Sequence, residues 1–507
     1  MIDGLIKAIE KVNDYINGIV WGWPVIILIL ATGLLLSVRT GFLQLRRFGL
    51  SLRSTIIPAV KSIGKGKKKD HGANSVSQFE AFSAAISGTV GTGNIIGVVS
   101  AILLGGPGAV LWMWISAFFG MVTNYSENVL GLYYRKKNKD GEFSGGPFYY
   151  IAYGLKWRWL AYVSAVFCML AAVGMSGVQS NKISGTVANT MNKLIGTEDT
   201  TALRIIIGTV IAVITAVIII GGIKRIGKVA SMLVPIMSLI FIFMSLTAIC
   251  MHYDNIPRAF ELIFSRAFSF KAAGGGVLGY TFATVIRQGM ARGVFSNEAG
   301  LGSSVIAHSA SETREPVKQG LWGVFEVFFD TFIICTLSAL TFLTTIDIDS
   351  LTGKEEDVAM ALKVYSDNFG DFGVAVFSII IPLFAFTTIL AWSYYGEKAV
   401  GFCFGKLGDK WEKKASAVFK LIYVLLIIFS TAITSDLIWA IDDTFNGLMA
   451  VPNLICLVAL SGVVARVTRN YFKRNNGGRE EPMLSAYPDL NEEFKEYIAA
   501  EESSKNS

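Results

Sequence analysis

The chain has 507 residues, 52% of them hydrophobic and only 16% charged, with a mean hydropathy of +0.52 and a formal net charge of +7. Soluble domains carry about 25% charged residues, so the charge here is too sparse to coat the several cores that a water-soluble chain of this length would need. The expected solvent is a lipid bilayer. The histidines (His71, His252, His308) and cysteines (Cys168, Cys250, Cys335, Cys403, Cys456) are scattered, with no C-x-x-C and no paired spacing. A structural zinc site, a haem or iron–sulfur centre and a disulfide framework are all without support. No G-x-x-x-x-G-K-[ST] occurs, so direct use of ATP is not expected; the expected partners are a small solute and the bilayer, with no nucleic acid.

A bilayer core about 30 Å thick takes about 20 apolar residues per helical crossing. In chain order this predicts eleven spans, at 19–38, 78–103, 107–134, 158–180, 202–221, 229–250, 276–306, 320–344, 371–395, 416–434 and 443–466. An odd number puts the two ends on opposite sides. The first span has no basic region before it and no small-residue cleavage motif after it, and reads as a retained helix. Lys and Arg alternate from loop to loop. One face collects Arg39, Arg46, Arg47, Arg53, Lys61, Lys65, Lys67, Lys68 and Lys69, then Arg135, Lys136, Lys137 and Lys139, then Lys224, Arg225 and Lys228. It continues with Arg314 and Lys318, with Lys398, Lys406, Lys410, Lys413 and Lys414, and with Arg466, Arg469, Lys473 and Arg474. The opposite face has only Lys182 and Lys193, then Arg258, Arg266 and Lys271, then Lys354 and Lys363. The basic face is expected to be cytoplasmic, with the N-terminus outside and the C-terminus inside. The stretch 475–507 is polar and acidic; it reads as a cytosolic tail with at most a short helix near Leu490 to Ala500.

The second span carries Ser87-Gly88-Thr89-Val90-Gly91-Thr92-Gly93-Asn94-Ile95-Ile96-Gly97. Each glycine weakens a helix by roughly 1 kcal/mol relative to alanine. The pattern returns five spans later as Gln288-Gly289-Met290-Ala291-Arg292-Gly293 and Phe295-Ser296-Asn297-Glu298-Ala299-Gly300-Leu301-Gly302. Two broken spans in corresponding positions point to a secondary transporter with internal repeats, and an odd number of spans per repeat makes the second copy inverted. A broken helix bares N–H groups that suit a carboxylate and C=O groups that suit a small cation. The plainer alternative is close packing, for which Gly93 and Gly97 have G-x-x-x-G spacing. A nucleotide fingerprint fails, because the spacing is not G-x-G-x-x-G and no strand precedes it.

In the ninth span Thr387 and Thr388 could bond back to their own helix, as membrane threonines commonly do. Thr388 and Trp392, four apart, share a face, and hard cations favour such oxygen ligands. The remaining candidates are charges inside spans: Glu80, Glu127, Arg287, Arg292, Glu298, Glu326 and Asp330. Each costs about 2.5 to 3.5 kcal/mol or more at mid-bilayer. Arg287, Arg292 and Glu298 are expected to form gate or packing ion pairs, with Glu127 and Asp330 as further gating or structural charges.

Four runs carry a family likeness: Val90-Gly91-Thr92-Gly93-Asn94-Ile95; Gly145-Gly146-Pro147 with Tyr149 and Tyr150; Phe295-Ser296-Asn297-Glu298-Ala299-Gly300-Leu301-Gly302-Ser303; and Trp392-Ser393-Tyr394-Tyr395-Gly396-Glu397-Lys398. With them the chain resembles the prokaryotic sodium:alanine/glycine symporters over essentially its whole membrane portion. The resemblance implies an all-α polytopic membrane protein with a leucine-transporter-like five-plus-five inverted repeat and one extra N-terminal helix. It divides the chain into 1–76, a first repeat 77–250, an external loop 251–275, a second repeat 276–467 and a tail 468–507. It implies uptake of a small neutral amino acid with Na⁺ across the cell membrane by alternating access. Gly91, Thr92, Gly93 and Asn94 would hold the substrate, Gly289, Met290 and Gly293 would form the opposite wall, and Thr388 and Trp392 would close the pocket. Na⁺ would sit among Ser87, Val90, Thr387 and Thr388. Where the family usually has Gln, this chain has Glu80, which in the pocket would favour the substrate ammonium or add a protonation step. A channel would need a continuous polar pore face, and an enzyme a nucleophile with its base; neither is visible.

Overall fold

Where water is scarce, every backbone N–H and C=O must find its partner inside the chain, and for a single segment only a helix achieves this. The computed structural model describes residues 2–64, 76–138, 141–196, 198, 200–268, 281–351, 355–433 and 435–506, and they are almost entirely helical. Lys65, Lys67, Lys68, Lys69, His71, Lys139, Lys271 and Lys354 lie outside the described residues.

The helices are α1 (Ile2–Val20), α2 (Trp23–Thr40), α3 (Leu43–Arg46), α4 (Phe48–Gly64), α5 (Gln78–Thr89), α6 (Ile96–Gly105) and α7 (Ala109–Tyr133). A two-residue hairpin follows, β1 (Lys136–Lys137) against β2 (Phe143–Ser144). Then come α8 (Pro147–Gly154), α9 (Arg158–Ile195), α10 (Thr201–Ile219), α11 (Gly222–Met251), α12 (Ile256–Ala267), α13 (Phe282–Asn297), α14 (Ser304–His308) and α15 (Pro316–Val327). A π-helical segment, Phe328–Cys335, joins α15 to α16 (Thr336–Thr345). The last helices are α17 (Asp357–Phe404), α18 (Asp409–Ser430), α19 (Ser435–Asn475) and α20 (Pro488–Asn506).

Among the described residues, helix is found in each of the eleven predicted windows. Seven helical stretches among the described residues are long and apolar enough to cross a membrane, in the first, fourth, fifth, sixth, eighth, ninth and eleventh windows. The second and seventh are each divided: α5 from α6 by residues 90–95, and α13 from α14 by residues 298–303. The third, α7, is less apolar because Thr123, Asn124, Ser126, Glu127 and Asn128 crowd one stretch, and all five are buried. They bond to protein rather than lipid, Asn124 donating to Ser304 Oγ at 3.1 Å and Asn128 to Asn124 at 2.8 Å.

Boundaries shift in three places. The fourth span runs on to Ile195, so Lys182 is a buried residue of α9 rather than a loop charge; its Nζ lies 3.1 Å from Asp357. The ninth span begins where predicted, after a kink at Gly370 with φ 57° and ψ −142°, but its helix runs on to Phe404. The acidic tail contains the full helix α20 instead of a short one. Its Phe494 and the preceding Leu484 are fully buried with Phe143 of the hairpin, and Arg135 lies 3.9 Å from the centre of the Phe143 ring. A polar tail cannot build a core alone, but it completes one that the hairpin begins.

Candidate functional site

α5 starts with a capping box: Ser77 Oγ accepts from the Glu80 N–H at 3.1 Å and the Glu80 carboxylate accepts from the Ser77 N–H at 2.9 Å. Glu80 therefore sits in the first turn of α5, remote from the break, and its carboxylate is engaged in the cap rather than in a pocket. The helix ends at Thr89. Val90 turns to φ −80°, ψ 90° and Gly91 is extended before a single 3₁₀ turn, Thr92–Asn94, leads into α6. The Asn94 side chain replaces the missing helical bond by accepting from Gly91 N–H at 2.9 Å. Among the described residues, the N–H groups of Thr92 and Gly93 have no protein acceptor.

Four elements close on this break. From α17, Thr388 Oγ1 reaches Ser87 O at 3.1 Å while also bonding Phe384 O of its own helix at 3.1 Å. A Cβ on Gly91 would lie 2.6 Å from that hydroxyl, so glycine is what lets the two chains approach. Among the described residues, Thr387 bonds only back to Phe384 O, at 3.0 Å. From α9, Gln179 Oε1 accepts from Thr92 Oγ1 at 2.9 Å. From the π-helical segment, Asp330 accepts from Asn94, from Ser296 Oγ at 2.7 Å and from Thr331 Oγ1 at 2.8 Å. From α13, the Phe295 ring approaches Gly93, where a Cβ would lie 3.1 Å from it.

The second break lies later than the glycine pattern suggests. α13 is continuous through Gly289, Met290 and Gly293, and unwinding begins at Glu298 (φ 54°), followed by Gly300 (φ 93°) and Gly302 (φ 78°). A Cβ on Gly289 would stand 2.6 Å from Trp112 Cβ, and one on Gly293 3.0 Å from Ser116 Cβ. These glycines are a packing seam against α7, not the wall facing the first break, and Met290 is buried in the apolar core between them. The bared peptide groups of the second break are met by side chains. Asn297 Oδ1 accepts from Ala299 N–H at 3.0 Å, Glu127 Oε1 from Gly300 N–H at 3.1 Å, and Asn453 donates to both Gly300 O (2.9 Å) and Glu127 (2.6 Å).

The expected ion pairs are only partly present. Arg292 pairs with Asp443 of α19 at 3.0 Å, and Arg287 donates to Asn17 of α1 at 2.9 Å. Glu298 has neutral partners instead, accepting from Trp392 Nε1 at 2.9 Å and Ser303 Oγ at 2.5 Å. Trp392, fully buried, thus supports the second break from the same helix that presents Thr388 to the first. Toward the N-terminal end of α13 the site is covered by Phe295 stacked on Trp439 at 5.2 Å, with Arg292 and Lys182 each 5.0 Å from the Trp439 ring.

Two breaks are thus joined through one long helix, α17, within a bundle of apolar spans. Residues 6–486 match the sequence pattern of the sodium:alanine symporter family. The chain belongs to that family. Its members are transporters, not enzymes. It is 37% identical over 462 residues to the sodium/alanine symporter AgcS of Methanococcus maripaludis, an alignment covering 90% of this chain and 96% of the relative. It is 35% identical to the putative sodium/proton-dependent alanine carrier YrbD of Bacillus subtilis, covering 91% and 92% of the two chains. The probable sodium/glutamine symporter GlnT of the same organism is 33% identical, covering 94% and 93%. Among solved structures, MhsT in complex with L-phenylalanine is similar with a TM-score of 0.55 at 13% identity, covering 78% of this chain and 99% of that one. A Na⁺-coupled sialic acid symporter is similar at 0.51 and 12%, covering 94% and 95%. The fold of this family member is leucine-transporter-like, and it is a multi-pass membrane protein.

Gln179, Trp439, Asp443 and Asn453 enter the site without having been singled out in the sequence, and Ser296 enters it only as a member of the second broken run. Asp443 and Asn453 are polar residues within or beside the eleventh span, and the rule that intramembrane polar groups have partners would have flagged them. Gln179 carries no comparable signal.

Proposed function

We propose that this family member takes up a small neutral amino acid, alanine or glycine, together with Na⁺ by alternating access. The observation that carries the reading is the first break, where free N–H groups at Thr92 and Gly93 adjoin the contact between the Thr388 hydroxyl and the Ser87 carbonyl. The N–H groups suit the carboxylate of a zwitterion. The Ser87 and Val90 carbonyls with the Thr388 hydroxyl are the hard oxygen donors that Na⁺ prefers. Thr387, bonded only to its own helix, is a less direct donor. Crowding of Gly93 by Phe295 and of Gly91 by Thr388 favours a methyl group or hydrogen over the longer side chain of glutamine. The asymmetry of Lys and Arg between loops supports a cytoplasmic C-terminus and an external N-terminus in the cell membrane. Inward movement of one positive charge across 100 mV is worth about 2.3 kcal/mol, and a tenfold Na⁺ gradient adds about 1.4 kcal/mol. At one-to-one stoichiometry that sum sustains roughly 500-fold accumulation of a neutral solute.

A proton-coupled cycle is the second reading. It is favoured by Glu298 and Asp330, two fully buried carboxylates whose hydrogen-bond partners among the described residues are all neutral. Uptake of labelled alanine by proteoliposomes separates the two. A Na⁺ gradient at equal pH should drive accumulation, and a pH gradient without Na⁺ should not; the reverse result would replace sodium with the proton. Competition by excess glutamine as strong as that by glycine would overturn the assignment of substrate size.

A further inference from the structure

Four arginines from three separate stretches of chain converge on one cavity of about 350 Å³, remote from both breaks. Arg39 comes from the last turn of α2, Arg46 and Arg47 from α3 and the residue after it, and Arg469 from α19. Among the described residues, none that lines the cavity is acidic, and none of the four arginines pairs with a carboxylate. Arg47 lies over the Phe472 ring, 4.6 Å from its centre, and both residues line the cavity. Like charges held together this way repel one another unless an anion joins them. Guanidinium groups match the oxygens of a phosphate in paired hydrogen bonds.

The cavity lies where two spans leave the apolar zone. Val38, on its wall, is 61% exposed; Leu34 and Ile27, at intervals of four and seven residues on the same face of α2, are 49% and 58% exposed. An apolar stripe open to lipid therefore runs down α2 and ends at the arginines. A soluble anion has no use for that stripe, whereas a phospholipid has acyl chains to lay along it. Basic pockets between spans bind anionic head groups in this way. We propose that this cavity binds the phosphate of an anionic phospholipid, with Arg39, Arg46, Arg47 and Arg469 around the head group and the Ile27–Leu34–Val38 face against an acyl chain.

The test uses the purified full chain in zwitterionic micelles, titrated with phosphatidylglycerol, phosphatidylcholine or inorganic phosphate, with bound lipid counted by native mass spectrometry and the melting midpoint followed. Phosphatidylglycerol should bind and raise the midpoint, the other two should not, and Arg46→Gln with Arg469→Gln should weaken binding by about tenfold or more. Lys410→Gln with Lys413→Gln, which removes two exposed charges outside the cavity, should leave it within about twofold. Equal binding by the arginine variant, or an equal response to phosphatidylcholine, would overturn the proposal; an equal response to inorganic phosphate would overturn the lipid as its source. A photoactivatable phosphatidylglycerol on the unmodified protein gives a reading that does not depend on a variant folding. Labelling should fall in 38–47 and 465–472, and labelling confined to other segments would also overturn the proposal.

Discussion

Thr388 has one hydroxyl proton and two carbonyls at equal distance, Ser87 O on a neighbouring helix and Phe384 O on its own. The proton serves one at a time, so the side chain can turn its lone pairs and the Ser87 oxygen toward a cation without losing its place in the helix. Thr388→Ala should raise the Na⁺ concentration for half-maximal alanine uptake by about tenfold, a loss of about 1.4 kcal/mol, and Thr388→Ser should stay within about threefold. Uptake into proteoliposomes at varied Na⁺ measures both, and an unchanged Na⁺ dependence in the alanine variant would remove Thr388 from the site. One turn further along α17, Trp392 has a different task. Its indole N–H is one of two donors to the buried Glu298 carboxylate. Trp392→Phe leaves that oxygen unpaired and should cost about 1–3 kcal/mol, read as a lower melting midpoint. Adding Glu298→Gln removes the buried charge and should restore part of the loss; a further drop would mean that Trp392 acts through packing alone.

α5 shows how a residue that invites a functional reading can belong to the element instead. Glu80 closes the capping box with Ser77, and glutamine serves at that position as well as glutamate. Glu80→Gln should therefore be nearly silent, and Glu80→Ala, which loses the hydrogen bond to the Ser77 N–H, should cost about 0.5–1.5 kcal/mol of stability. Neither should move the pH dependence of uptake, and a shifted profile in Glu80→Gln would bring the carboxylate back into the transport cycle. The first break was legible because Gly91, Thr92, Gly93 and Asn94 are both the glycine-rich stretch and the unwound one. The second was legible only in outline, since Gly289 and Gly293 look the same in sequence whether they loosen a helix or admit α7, and only the neighbouring Trp112 and Ser116 decide between the two. Periodicity shows that Thr388 and Trp392 share a face, which the structure bears out, but it does not say what that face meets. Partners such as Gln179 and Asp443 come from spans far away in sequence, and no local pattern points from Thr92 or Arg292 to them.

Alternating access requires that one side open only while the other is closed, so the contacts that span helices over the site set the balance between states. Here the cover toward the N-terminal end of α13 is the pair Arg292–Asp443 above the Phe295–Trp439 stack, and it ties a broken helix to α19. The same end of α19 is held to the N-terminal segment by Trp21 Nε1, which donates to Asp443 O at 2.9 Å. Removing one partner of a buried ion pair costs about 3–5 kcal/mol because the other charge is stranded. Opening the cover hydrates that stranded charge, so Asp443→Asn should favour the state open on that side, and even 1.4 kcal/mol shifts the balance tenfold. Hydrogen exchange should then quicken in 289–297 while 304–308 stays protected behind the Glu127 and Asn453 bonds. Alanine binding should survive and accumulation fall, because a carrier biased to one side binds without completing its cycle. Unaltered exchange in 289–297, or equal acceleration on both sides of the second break, would show that the pair supports the fold as a whole rather than one of its two closures.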